Sequence, residues 1–562
     1  AGYEAALASA RMGVKTTLIT LDSSQIGRLP CNPAVGGIAK SHLVSEVDAL
    51  GGEIAKNADF TGIQYRMLNT RKGPAVQSNR IQCDKNAYPL RIQKILMEQE
   101  NLTIIDDMVL SIDTSKSKIK SITTRSYGTI YTNCAVICTG TFLRGRVLIG
   151  KTIVAEGRAG EESAEALSSS FEEFGFDLAR LKTGTPPRVH RDSINYSSIE
   201  EQPGEEPPPF FSYDAKKMWR EDKDGLFHVE QSEETPWFPG KDQVSCHLTH
   251  TNEKTHQIIA DHLHESAMYG GMVEGTGVRY CPSIEDKIVK FAGRDAHHVF
   301  IEPEGRDNIR LYPNGTSNSL PESVQTKMIR SIKGMENAEI IRPGYAIEYD
   351  FADPTQLFHT LETKKVEGLF FAGQLNGTTG YEEASCQGFV AGVNAASKVL
   401  GESEFILSRS ESYIGVLIDD LVTKGTDEPY RMFTSRSENR LTLRQDNAIY
   451  RLFDKASRLK IHSDQRLQQT AQQKDSIEKE IKRLEKVFSG GKSLAQLLRQ
   501  PGMGYNDLPA ELISLKNEEV SGQVEIEIKY AGYIKREKDR IKVAQKQESW
   551  KIPSDFNYDL VG

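Results

Sequence analysis

The 562-residue chain has little of what a membrane, secreted or thiol-metal protein needs. Its mean hydropathy is -0.47. No apolar run approaches the about 18 residues of a membrane helix, and the start shows no basic, apolar and small-residue order of a secretory leader. Membrane and secretory classes are therefore excluded at this stage, and a cytoplasmic location is expected. Cysteine is scarce: the seven residues Cys31, Cys83, Cys134, Cys138, Cys246, Cys281 and Cys386 are odd in number and scattered. They make no disulfide framework and fit a reducing compartment. No C-x-x-C pair occurs, and Cys246 to His250 (CHLTH), with His256, His262 and His264, matches no zinc spacing, so no metal site is expected. The formal charge of -8, from 70 basic and 78 acidic residues, excludes a wholly basic nucleic-acid binder.

The acidic excess is uneven. Arg431 to Gln500 holds 16 basic and 8 acidic residues, net +8, which leaves -16 on the remainder. A basic C-terminal part on an acidic body is a candidate polyanion surface, with a solvated helical face as the alternative. At roughly 150 residues per domain, the length allows three to four units.

AGYEAALASARMG (Ala1 to Gly13) predicts a helix closed by glycine, and VKTTLIT (Val14 to Thr20) a strand. Together they form the second half of a βαβ unit. The first strand and most of the glycine turn of such a unit would precede Ala1, outside the given chain. LTIIDDMVL (Leu102 to Leu110) and CAVICTG (Cys134 to Gly140) predict further strands, and LFFAG (Leu369 to Gly373) another, which runs through QLNGTTG into a helix near Glu382. Gly388 and Gly392, one turn apart in that helix, predict close packing on a sheet. A glycine turn leading into a helix N-terminus suits an anion or an electron-rich ring. From about Val189 to Tyr345 runs a long insertion containing the loop EQPGEEPPP (Glu201 to Pro209), expected to be an inserted domain. After about Gly401 the pattern is helical. A stripe of Ile477, Ile481, Leu484 and Val487 reads as core, and Tyr530 to Gln547 as a basic helix.

LPCNPAVGGIAKS (Leu29 to Ser41) ends in Lys-Ser like a P-loop, but Ala34 and Ala39 stand where G-x-x-x-x-G-K-[ST] needs glycine. A nucleoside triphosphatase is rejected on that ground. What is left is a loop able to approach a planar ligand, with an Asn-Pro turn and one thiol, Cys31.

The segments CNPAVGGIAKSHLVSEVDALGG (from Cys31), LNTRKGPAVQSNRIQCDK (from Leu68), RLKTGTPPR (from Arg180), THTNEKTH (from Thr249), RYCPSIEDK (from Arg279), IEPEG (from Ile301), YPNGTSNSLP (from Tyr312), FAGQLNGTTGYEEA (from Phe371), SRSENRLTLRQDNA (from Ser435) and IKYAGYIKR (from Ile528) together resemble the MnmG (GidA) family of tRNA-modifying flavoproteins. The resemblance departs at the ends, where only Ala1-Gly2 represents the tail of the family's G-x-G-x-x-G and its last few dozen residues are absent. It implies an α/β fold: a Rossmann-like FAD-binding domain lacking its first strand (1-195 and 345-400), an inserted α/β nicotinamide and substrate domain (196-344), and a helical tRNA- and partner-binding domain (401-562).

The resemblance also implies FAD, NADH and methylenetetrahydrofolate as cofactors and one-carbon donor, with glycine or ammonia as the amine. The expected partners are the GTPase MnmE, tRNA and a second copy of the chain in a homodimer, without a membrane. The implied reaction adds an aminomethyl or carboxymethylaminomethyl group to C5 of the wobble uridine. Flavin contacts are expected at Gly2, Val109, Ser163, Gln374 and Gly377, and nicotinamide contacts at Gly277, Arg279, Tyr280, Pro282, Ser283 and Lys287. Cys31 and Cys281 would be the catalytic thiols. Uridine C5 is a poor nucleophile until a thiolate adds at C6, which is why the chemistry needs a thiol. Arg71-Lys72 and the stripe Lys482, Arg483, Lys486 are expected on phosphate. Two other readings are a folate- and FAD-dependent uridine C5 methyltransferase of the TrmFO kind, and a non-catalytic RNA-binding flavoprotein.

Overall fold

In the computed structural model, residues 1-221, 237-277, 282-548 and 556 are described. The helix Gly2–Arg11 leads through Gly13 (φ +85°) into the strand Thr16–Thr20, which pairs in parallel with Leu102–Asp106. A second parallel pair joins Ala135–Ile137 to Leu369–Phe371, and the same helix packs on both pairs. Their runs of β-branched and aromatic residues suit strands covered by helices.

The helix Tyr381–Leu400 crosses Gly2–Arg11 at its two glycines. A Cβ on Gly388 would stand 2.1 Å from the Ala1 carbonyl oxygen, and one on Gly392 2.4 Å from that of Ala5. These glycines therefore seat helix backbone on helix backbone, not helix on sheet as the sequence suggests. The Ser9 hydroxyl adds a bond of 2.9 Å to the Gly392 carbonyl.

The predicted strand from Leu102 to Leu110 is broken at Asp107. Its carboxylate accepts the N–H groups of Met108 (2.8 Å), Ser126 (2.8 Å) and Tyr127 (3.1 Å). This local side-chain bonding competes with a continuous ladder. Val109–Ser115 instead opens an antiparallel three-stranded meander with Lys118–Thr124 and Gly128–Tyr131.

The insertion holds a six-stranded antiparallel sheet in the order Glu200–Gln202, Cys246–His250, His298–Pro303, Arg310–Asn314, Arg188–His190 and Ile340–Arg342. The helices Glu253–Asp261, Ile284–Lys290 and Glu322–Arg330 accompany it, over a separate core that includes Val189, Ile259, Val299 and Met328. Because the sheet takes strands from Arg188 onward, it begins before residue 196. Beside it, Tyr345–Ala352 pairs with both Arg146–Ile149 and Leu178–Thr185. The C-terminal part is helical. On Asp464–Lys486, Ile477 and Leu484 are buried against Val520, Val524 and Ile528 of Glu518–Lys529, with Ile481 and Val487 partly buried beside them. Each fully buried aliphatic side chain there is worth about 1.5–3 kcal/mol.

Candidate active site

The Cys31 loop is fastened to the start of Tyr381–Leu400. The Cys31 N–H donates to the Tyr381 hydroxyl at 3.0 Å, and the Gly36 N–H to Glu382 Oε1 at 2.7 Å. Lys40 Nζ lies 2.6 Å from Glu382 Oε2 and 3.6 Å from Glu383. Gly36 (φ +93°) needs glycine because a Cβ would meet the Asn79 carbonyl at 2.3 Å. The close approach at this position is thus to protein backbone.

The turn after Leu369–Phe371 meets the end of Ala135–Ile137 and the beginning of Gly2–Arg11. A Cβ on Gly140 would come within 3.6 Å of the Gln374 carboxamide oxygen, and one on Gly2 within 3.8 Å of Cys138. Asn376 is tied by its amide to the Phe371 carbonyl (2.8 Å) and Gln387 (2.9 Å). Its Oδ1, like Thr139 Oγ1, is buried with no hydrogen-bond partner among the described residues. Converging ends of parallel strands, with orphaned buried acceptors beside a glycine turn, fit a dinucleotide cofactor.

The expected flavin contacts divide within this arrangement. Gly2 and Gln374 border the convergence. Gly377 (φ +78°) closes a 3-10 turn, and a Cβ there would lie 2.6 Å from Thr426 and 3.3 Å from Phe351, so protein packing and its left-handed backbone account for the glycine. Val109 opens its strand half-buried. The Ser163 hydroxyl is occupied by the Gly145 N–H (2.8 Å) and the Phe142 carbonyl (3.2 Å).

Cys31 Sγ is 2.9 Å from the Tyr312 hydroxyl. Behind that tyrosine, Arg188 donates to Glu304 (2.8 Å) and to the Pro30 carbonyl (2.7 Å), and its guanidinium lies 4.7 Å from the centre of the Tyr312 ring. Lys85 Nζ meets the same Glu304 oxygen at 2.5 Å. Burial and the nearby Arg188 charge push the Lys85 ammonium down to about 8, against the pull of Glu304. Burial opposes ionisation of Glu304, yet Arg188 and Lys85 hold its carboxyl below the ordinary range. Two residues earlier in the chain, Glu302 takes Arg80 and Asn32 at 2.5 Å each. Sequence reasoning singled out none of Lys85, Arg188, Glu304, Tyr312 or Tyr381. Each lies inside a quoted motif, but no spacing rule links residues hundreds of positions apart.

In the expected nicotinamide segment, Ser283 caps Ile284–Lys290 by accepting the Asp286 N–H (3.2 Å), and Lys287 Nζ donates to the Gly315 carbonyl (2.9 Å). Gly277 faces Met268, 3.3 Å from its would-be Cβ, and Pro282 is half-buried. Arg279, Tyr280 and Cys281 lie outside the described residues. Ser283 and Asp286 line a small polar cavity with Lys182, Thr183, Gly184, Ser317 and Asn318.

Arg71 and Lys72 are exposed, and a Cβ on neighbouring Gly73 would lie 3.4 Å from the Tyr530 hydroxyl. Tyr530 immediately precedes the basic helix Ala531–Glu548, which exposes Lys535, Arg536, Lys538, Arg540 and Lys542. Of the predicted phosphate stripe, Lys482 and Lys486 are exposed. Arg483 instead binds Glu480 (2.7 Å) and the Leu512 carbonyl (2.7 Å), which makes it a bracket between segments.

Parallel strand pairs ending on a glycine turn, an inserted antiparallel sheet and a C-terminal helical part define a Rossmann-type FAD-binding enzyme fold. The chain belongs to the family of the glucose inhibited division protein A, whose model matches residues 1–403. The C-terminal helical domain of the tRNA modifying enzyme MnmG/GidA matches residues 464–538. The chain is 48% identical to the tRNA uridine 5-carboxymethylaminomethyl modification enzyme MnmG of Geobacillus kaustophilus, over 100% of this chain and 89% of the relative. It is likewise 48% identical to that of Aquifex aeolicus, over 100% and 90%. Among solved structures, Aquifex aeolicus GidA in its form II crystal superposes with a TM-score of 0.88 at 45% identity, covering 100% of this chain and 90% of that one.

Proposed function

We propose that this chain is a FAD- and NADH-dependent tRNA-modifying enzyme. Together with the GTPase MnmE, it would add an aminomethyl or carboxymethylaminomethyl group, with its carbon from methylenetetrahydrofolate, to C5 of the wobble uridine. Working as a cytoplasmic homodimer belongs to the same reading. The observation that carries it is the fastening of the Cys31 loop to Tyr381 and Glu382, immediately after the Gly373 to Gly380 turn. A free thiol is thereby held beside the place that fits a dinucleotide.

Gly2, Gly140, Gln374, Asn376 and Thr139 would hold the flavin, which when bound supplies hydride chemistry for the one-carbon unit. Ser283 and Lys287, with the 277-282 segment, would receive the nicotinamide. Cys31, as thiolate, would form the S–C6 bond and shift the C5=C6 electron pair onto C5, which then bonds to the electrophilic carbon. Loss of the C5 proton and cleavage of S–C6 restore the ring and the thiolate. The exposed Arg71-Lys72 loop and the exposed basic side chains of the helix Ala531–Glu548 would meet tRNA phosphates.

The test is mass spectrometry of nucleosides from tRNA incubated with the protein, MnmE, FAD, NADH, the folate donor, and glycine or ammonium. Aminomethyl- or carboxymethylaminomethyluridine is expected from the wild type. Cys31→Ser should still oxidise NADH while losing modification by several orders of magnitude, since a serine hydroxyl is scarcely ionised near neutral pH. Formation of 5-methyluridine instead, or of no C5-modified uridine by flavin-loaded protein, would refute the reading.

A further inference from the structure

The Cys31 thiol does not stand alone in its loop. Among the described residues its sulfur is hydrogen-bonded to Tyr312, on the strand Arg310–Asn314 of the inserted sheet, 281 positions away. That tyrosine is itself held. It is 3% exposed, stands opposite Glu302 in the sheet register, and carries the Arg188 guanidinium over its ring. Arg188 cannot swing away, because it also donates to Thr185 Oγ1 and the Pro186 carbonyl at 2.6 Å each, to Glu304, and to the Pro30 carbonyl next to Cys31. The phenol oxygen is thus fixed from behind and directed at sulfur from the front.

A neutral thiol and a phenol can each donate to the other. A sulfur that carries negative charge has no proton to give, so Tyr312 must then be the donor. Hydrogen bonds to a charged acceptor are roughly twice as strong as neutral ones. The contact therefore discriminates between the two states of the thiol, and the Arg188 cation on the same side acts in the same sense.

We propose that Tyr312 is the positioning residue for Cys31: its hydroxyl fixes the direction of Sγ and donates to the sulfur when it is negatively charged. This rests on the reading of Cys31 as the C6 nucleophile. In the addition step the sulfur electron pair forms the S–C6 bond, the C5=C6 pair moves to C5, and the phenol keeps its proton throughout. Its bond to sulfur weakens as the charge leaves and returns when S–C6 breaks, so the thiolate is delivered back to the same place.

The experiment is alkylation of the full-length protein by iodoacetamide between pH 6 and 10, with Cys31 followed by peptide mass spectrometry, in the wild type and Tyr312→Phe. Phenylalanine keeps the ring under Arg188, and equal thermal unfolding of the two proteins establishes that the fold is intact. The variant should be alkylated about tenfold more slowly at pH 7, with the two rate profiles converging at high pH, where the thiol is ionised in both. Half-buried Cys134, remote from Tyr312, should react equally in both. A superposed profile, or faster alkylation because the phenol merely shields the sulfur, overturns the assignment. Nucleoside analysis of Cys31→Ser separates this from the underlying reading. Retained modification there removes Cys31 from the reaction, whereas lost modification with a superposed Tyr312→Phe profile overturns Tyr312 alone.

Discussion

Replacing Gly392 by alanine sets two effects of known sign against each other. Alanine is favoured over glycine inside a helix by about 1 kcal/mol. At 392, however, the new methyl would stand 2.4 Å from the Ala5 carbonyl oxygen and 2.6 Å from Ala5 Cα, where carbon contacts normally sit at about 3.5–4.0 Å. The obstacle is backbone and cannot rotate aside, so the helices Gly2–Arg11 and Tyr381–Leu400 have to part by about 1 Å. Parting stretches the Ser9 bond to the Gly392 carbonyl and loosens Ala5, Ala8, Phe389 and Val393, all buried. Overpacking of this kind costs about 1–3 kcal/mol and the strained hydrogen bond about 1 more. The overlap wins, for a net loss of about 1–3 kcal/mol. In a cooperative unit of about 150–250 residues, that lowers the melting temperature by roughly 2–12 °C. Gly522→Ala is the control. It lies within Glu518–Lys529, and a Cβ there meets nothing within 4 Å, so only the helix preference acts and stability should rise by up to about 1 kcal/mol. Thermal unfolding of both variants, with flavin content of the purified proteins, is the assay. Shifts of the same sign in both would refute the close-approach argument.

His42 is fully buried on Lys40–Leu50, with Nε2 3.2 Å from the Ala75 carbonyl, and burial pushes its pKa down to about 4. The unfolded chain binds this proton below about 6.5 and the folded one only near 4. Stability is therefore full above about 6.5 and falls as pH drops through that window, by about 3 kcal/mol in all. His42→Gln should flatten this slope in urea unfolding at pH 4.5 to 7, and an unchanged slope would place the titration elsewhere. On the surface, Lys482→Gln with Lys486→Gln should reduce the logarithmic salt slope of tRNA binding by about 1–2 if both lysines meet phosphate. An unchanged slope would mark them as a solvated face. Arg483→Gln should leave that slope alone and lower the melting temperature, since its partners are Glu480 and the Leu512 carbonyl.

Local rules were enough where the causes were local. The helix pattern of Ala1 to Gly13, the strand before Gly373, the helix near Glu382 and the stripe through Ile477 and Leu484 each depend on neighbours within a few turns, and each is present. The quoted motifs also carried the family, because long ordered strings of residues are themselves sequence information. Tertiary structure decided the rest. Asp107 breaks a run that reads as one strand, because Ser126 and Tyr127 supply N–H donors from another turn. Gly388 and Gly392 receive a helix and not a sheet, since glycine spacing states that something approaches closely but not what. Arg483 reads as a free cation until Leu512 folds back onto it. The surroundings of Cys31 were the least legible part: Tyr312, Arg188, Lys85 and Tyr381 reach it from separate elements. Hydrogen bonds and charges act through distance in space, and only the completed chain path brings those residues within their range.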